Sequence, residues 1–167
     1  MLQMSDPKQL FIFKLGAALT MEETSITMLR ELSETANESD LKEQLLHHRG
    51  ETRGQIGNIT QAFAALGLEP KPRPCPAIEG LKTDALMTIQ LAMPELYDAA
   101  ILAGCAAVEH HEIAVYESLI ALGDELHEDD IVALLKENLE QEQHTLKQVE
   151  AATKKQAKQL AEQAAAA

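Results

Sequence analysis

The sequence predicts an all-α protein: an antiparallel four-helix bundle with an extra crossover helix between the second and third helices. Three observations carry this. Apolar residues recur at i, i+3, i+4 and i+7 through four long segments. Ala, Leu, Glu and Gln dominate, aromatics are only 3% and Trp is absent, which favours helix over strand. Glutamates also sit on or beside all four apolar stripes, where leucine would be expected. An unpaired carboxylate in a core is costly, so these acids must share a physical remedy.

The first helix starts near Asp6-Pro7, an N-cap followed by Pro at the first helical position. Its stripe reads Phe11, Leu15, Ala18, Glu22, Ser25, Leu29, Leu32, Ala36. A turn at Asn37 to Asp40 follows, with Ser39 as the expected N-cap of the second helix. That helix covers about Leu41 to Leu66 on Leu41, Leu45, His48, Thr52, Ile56, Ile59, Phe63 and Leu66. Glu51 lies at the edge of its stripe, and Gly67 is the expected C-cap. Prolines at 70, 72, 74 and 76 then impose an extended stretch. A shorter crossover helix, about Ala77 to Leu91, completes a section long enough to travel from one end of the bundle to the other.

The third bundle helix runs from about Glu95 to Leu122, with Gly123 read as its cap. Its stripe is Ile101, Cys105, Val108, Glu109, Glu112, Tyr116 and Leu119. The fourth begins near Glu128 and carries Ile131, Leu135, Leu139, Glu142, Leu146 and Val149. Residues 1–167 form a single domain with its core at about 7–150. The Ala, Lys and Gln tail at about 151–167 is expected to be a frayed helix end or disordered.

Depth makes the glutamates a set. Glu22 lies about thirteen residues before the end of its helix, and Glu51 about twelve after the start of the next. Glu109 and Glu142 are matched in the same way across the second hairpin. Each hairpin therefore brings its acids level, and the two look like loose repeats. Carboxylates converging from four helices suit two divalent transition-metal ions, iron or manganese, held by Glu22, Glu51, Glu109, Glu112 and Glu142. Glu109 and Glu112 are three apart and reach one interior point. His48, three residues before Glu51, is the best nitrogen ligand, and equally reads as a satisfied core histidine. Tyr116 stands one turn beyond Glu112, placed to hydrogen-bond a ligand carboxylate. The competing reading is bulk-standard helix chemistry: carboxylates that snorkel to water, or buried salt bridges.

Other chemistry-bearing residues read as less central. His110 is a candidate to support the ligands from behind or to lie at an interface, while His111 faces solvent, the crossover helix or a second subunit. His144 and Glu140 point away from their stripe, His47 flanks its own, and His127 belongs to the last turn. Cys105 reads as a small buried core residue and Cys75 sits among prolines. Two cysteines make no disulfide framework.

The net charge of −13 argues against nucleic acid and anionic membranes as partners. The longest apolar run, Ala99 to Val108, is too short to span a bilayer, and the first residues carry no export signal. A cytoplasmic location is expected.

The stretch Val108 to Tyr116, VEHHEIAVY, is similar to a VEHYEIAxY signature of the bacterial YciE/YciF proteins, the ferritin-like DUF892 family. His48, Glu51 and Thr52 match its HxxET segment. Ala64 to Gly67, Pro70, Cys75 and Gly80-Leu81 follow its linker, Asp98-Ala99-Ala100 the start of its third helix, and Glu142 its last-helix glutamate. The resemblance covers about residues 7–150. It implies a ferritin-like bundle with a dinuclear metal centre, a crossover helix, a homodimer and a link to bacterial stress responses. A ferritin-like pattern expects His three residues after the second- and fourth-helix glutamates. Here Gly54 and Thr145 occupy those positions. The function this points to is a di-iron or di-manganese protein acting on peroxide, oxygen or the metal itself. The alternative is a non-catalytic dimeric helical stress protein with structural metal or none.

Overall fold

In the computed structural model, which describes residues 3–166, the chain forms five α-helices and one short 3₁₀ turn. They are α1 (Pro7–Thr35), α2 (Ser39–Ala65), α3 (Pro76–Leu91), α4 (Tyr97–Glu125) and α5 (Asp129–Ala166), with the 3₁₀ turn at Pro94–Leu96. Among the described residues there is no strand, and no helix is long and apolar enough to cross a membrane.

Contacts at the helix ends give the topology. Asp98, at the start of α4, meets the α1–α2 turn. Lys8, at the start of α1, pairs with Glu128 in the α4–α5 turn at 2.9 Å. Hence α1 and α4 run antiparallel, α2 and α4 begin at the same end, and the crossover must travel the bundle's length. That is the ferritin-like arrangement of two antiparallel hairpins joined by a long connection. Packing follows it: α1 on α2, α4 on α5, α2 on α5, α1 on α4, with α3 outside against α4. Phe11, Leu15, Ile59, Phe63, Ile101, Leu119, Ile131 and Leu135 fill the core.

Asp6 caps α1 as its sequence position predicts, accepting a 2.9 Å bond from the Gln9 N–H ahead of Pro7. Gly67 takes the left-handed conformation just past α2 (φ 71°). Three expectations at helix ends need correction. Ser39 is the first helical residue of α2 and not its cap; Asp98 does the capping from a distance, accepting from Asn37 N at 2.7 Å and Glu38 N at 3.0 Å. Gly123 is not a cap either. It is buried inside α4, where an added Cβ would lie 2.7 Å from Val132 Cγ2, so it permits close packing of α4 on α5. The left-handed residue of that turn is His127 (φ 56°). Finally, 151–166 is continuous helix rather than a frayed end. Alanine, lysine, glutamine and glutamate extend an already nucleated helix at little cost. Ala152 packs on the core and Lys155 lies 3.8 Å from Asp40.

The crossover lies tightly on α1. Arg73 N–H donates to the Gly16 carbonyl at 2.9 Å, and a Cβ at Gly16 would stand 2.4 Å from the Lys71 carbonyl oxygen. Gly104 plays the same part for α3, whose Ala85 Cβ would lie 2.7 Å from a Cβ there.

Candidate metal centre

Helical period turns Glu22 of α1, His48 of α2, Glu109 and Glu112 of α4 and Glu142 of α5 into the middle of the bundle. Glu22, Glu112 and Glu142 are fully buried, and Glu109 and His48 nearly so. His48, Glu109, Glu112 and Glu142 each present a ligand atom, all within 4.8 Å of one another. His48 Nε2 lies 3.3 Å from Glu109 Oε1 and 3.7 Å from Glu142 Oε2. Glu22 falls outside that tight set but inside the same buried field, since its charge raises the pKa of both Glu112 and Glu142.

Each acid has one oxygen held by a neutral or cationic donor. Tyr116 O–H donates to Glu22 Oε1. Ser25 Oγ donates to Glu112 Oε1 at 2.5 Å, and Gln55 Nε2 to Glu142 Oε1 at 2.5 Å. Asn138 Nδ2 supports the array, donating to Tyr116 Oη at 3.0 Å and the Gln55 carbonyl at 3.3 Å. The other oxygens, Oε2 of Glu22, Glu109, Glu112 and Glu142, are buried with no hydrogen-bond partner. Burial, aided by the charge of Glu109 and opposed by Tyr116 and His48, pushes Glu22 from 4.5 to about 7. Burial and neighbouring carboxylates push Glu112 and Glu142 well up. Burial works against a charged His48, but its bonds to Glu109 and Glu51 and the charges of Glu109 and Glu112 carry it from 6.5 to about 10.

Four orphaned buried carboxylate oxygens beside one imidazole are the donor set of a hard or borderline divalent cation. The residues therefore fit a metal ion.

The remaining sequence-predicted residues fall as follows. Glu51 stands at the rim, part-exposed, with Oε2 3.5 Å from His48 Nδ1 and Oε1 3.5 Å from His47 Nε2. The bond to His48 lowers its pKa below 4.5. Tyr116 hydrogen-bonds a buried carboxylate, that of Glu22, as its position predicts. His110 does not: it is exposed, because one residue past Glu109 is about 100° round the helix. His111 is half-buried against the crossover. Cys105 is buried, and burial with the charges of Glu109 and Glu112 drives its thiol pKa up, as befits an inert core residue. At the two positions where histidine is missing, Gly54 is exposed, while Thr145 is buried with Oγ1 3.3 Å from His48 Nδ1. The imidazole thus enters from α2, into space beside α5.

Gln55 and Asn138 were not singled out from sequence. Gln55 lies seven residues after His48 and Asn138 four before Glu142, so both share the face of a ligand. That spacing was the available signal.

Comparison with known proteins supports the same architecture. Residues 6–162 match the family described as Domain of unknown function (DUF892). Protein YciF of Escherichia coli (strain K12) is 33% identical over 146 residues, 86% of this chain and 88% of that protein. The crystal structure of the E. coli stress protein YciF superposes with a TM-score of 0.88 at 30% identity, covering 93% of this chain and 99% of that one. YcfI from Rhodopseudomonas palustris gives 0.85 at 36% identity over 87% and 94%. A Xanthomonas campestris protein at 18% identity and a TM-score of 0.70 shares the fold, covering 93% and 95%. From the buried acids, the crossover and these matches, the chain belongs to the DUF892 family.

Proposed function

We propose that the protein is a dinuclear metal carboxylate protein, binding two iron or manganese ions and acting on peroxide or oxygen. The observation that supports this most is the set of partnerless carboxylate oxygens from Glu109, Glu112 and Glu142 around His48, with that of Glu22 in the same buried field. A bound pair of such ions would supply Lewis acidity and one-electron redox steps.

The chain's own residues have four tasks. Glu109, Glu112, Glu142, Glu22 and His48 would hold the ions, and Glu51 would close the α2 side from the rim. Ser25, Gln55 and Tyr116 fix one oxygen of three acids and so aim the other inward. Burial excludes bulk water from the acids. The absence of imidazoles at Gly54 and Thr145 leaves the donor set rich in oxygen, with room for a small oxidant.

The proposed molecule works as a cytoplasmic homodimer in a stress response. The word "stress" in the name of the E. coli relative supports the second part. Exposed Met87, Leu91, Met93 and Leu96, from the end of α3 into the 3₁₀ turn, support self-association.

Elemental analysis of protein purified without added metal tests the centre. Up to two transition-metal ions per chain are expected, and stopped-flow mixing of the anaerobic reduced protein with hydrogen peroxide should change the metal-centred absorbance. Bound metal with no such change would favour the structural alternative. Light scattering tests the dimer.

A further inference from the structure

A second cluster of chemistry-bearing side chains lies where the crossover meets α1 and α4. Cys75 is the N-cap residue of α3 and is half-buried, with Sγ 3.9 Å from His111 Nε2. Both line a cavity of about 360 Å³ whose walls include Phe13, Ala17 and Val115. That volume is in the range of small-molecule sites. Lys14 also lines it and is close enough for its charge to act on His111. Arg73 covers the Phe13 wall, its guanidinium carbon 5.9 Å from the ring centre. In a chain with 14 basic against 27 acidic residues, Lys14 is the charged side chain lining the cavity that holds the one part-exposed thiol.

We propose that Cys75 is a thiol–disulfide exchange site for small anionic disulfides, with Lys14 receiving a ligand carboxylate and His111 holding the sulfur toward the cavity. The Cys75 thiolate attacks one ligand sulfur. A new S–S bond forms at Sγ as the ligand's own S–S bond breaks, and the departing thiolate takes up a proton equivalent to the one Cys75 released. One disulfide replaces another, so no external oxidant is needed. Cys105, buried beside the acids, takes no part.

The test uses the full chain with two probes of opposite charge, glutathione disulfide and cystamine, read by intact mass and peptide mapping. In the folded protein a single adduct should form on Cys75 and vanish in Cys75→Ser. Glutathione disulfide should react about tenfold faster than cystamine. In the urea-unfolded chain that preference should shrink, because Lys14 is no longer held near Cys75. Lys14→Gln should lower the folded chain's preference while leaving Cys75 reactive to cystamine. No Cys75 adduct in the folded protein, or cystamine reacting as fast as glutathione disulfide, would overturn the proposal.

Discussion

The two hairpins bring unequal chemistry to the middle of the bundle. Hairpin α4–α5 contributes three buried carboxylates, Glu109, Glu112 and Glu142. Hairpin α1–α2 contributes one, Glu22, with the imidazole of His48, and keeps Glu51 at the rim. The polar bonds then cross over. Ser25 and Gln55 of the first hairpin hold Glu112 and Glu142 of the second; Tyr116 of the second holds Glu22 of the first; His48 faces Glu109. Even the α1–α2 turn is closed by Asp98 from α4. Core leucines and isoleucines are indifferent to which hairpin they meet, whereas these bonds accept only one pairing. The acids therefore do more than offer ligands: they specify how the two halves dock.

The largest break in this asymmetry comes from the ligand-rich side. Glu112→Gln or Glu142→Gln should weaken metal binding by more than the roughly 10–100-fold that loss of an outer hydrogen-bond partner costs. Helical circular dichroism should stay intact, because removing a like charge relieves repulsion. Glu51→Gln, at the rim, should lose much less. Equal losses in all three variants would abolish the distinction between interior and rim.

Metal removal sharpens the contrast further through pH. In the metal-free chain Glu22 is raised from 4.5 to about 7, so its stabilisation is full below 4.5 and is lost as pH rises through about 7. Glu112 and Glu142 shift in the same direction. His48, raised from 6.5 to about 10, stabilises below 6.5 and loses that contribution as pH rises toward 10. At the rim of the centre Glu51 runs the other way: its pKa is lowered, so its contribution is present above 4.5 and lost on acidification. Thermal melts of the metal-free protein should therefore fall between about pH 5 and about pH 9, by a few kcal/mol in stability. A melting temperature that climbs over that range would contradict the raised acids.

Smaller effects are expected from the bonds that cross between hairpins. Tyr116→Phe leaves Glu22 and Asn138 each short of a partner, and should cost about 1–3 kcal/mol in urea titration. Asp98→Ala removes the remote cap and should cost about 1 kcal/mol. If both variants match the wild-type midpoint, the hairpins are paired by apolar packing alone.

Much of this was legible in the chain. Glu22, His48, Glu109, Glu112 and Glu142 could be placed inside because a period of 3.6 fixes the face of every residue on a long helix. Tyr116 followed from the same count. The errors have one physical origin, which is that spacing along a helix says nothing about the neighbour supplied from elsewhere. Ser39 looked like a cap, yet the oxygens that close that turn come from Asp98, some sixty residues away. Gly123 looked like a stop, yet its missing side chain serves Val132 across the turn. Gln55 and Asn138 resemble surface amides until the opposite hairpin is in place.

The contact at Gly16 bears on the order of assembly. The crossover backbone fits against α1 only because residue 16 has no Cβ, and it is pinned there by the Arg73 N–H. Once that strap seats, the connection between hairpins is no longer one long loop but two short ones, either side of a fixed point. Closing shorter loops costs less chain entropy. The first hairpin thus works as a template, carrying on its outer surface a track that delivers α3, and then α4, to the end of the bundle where Asp98 engages the turn.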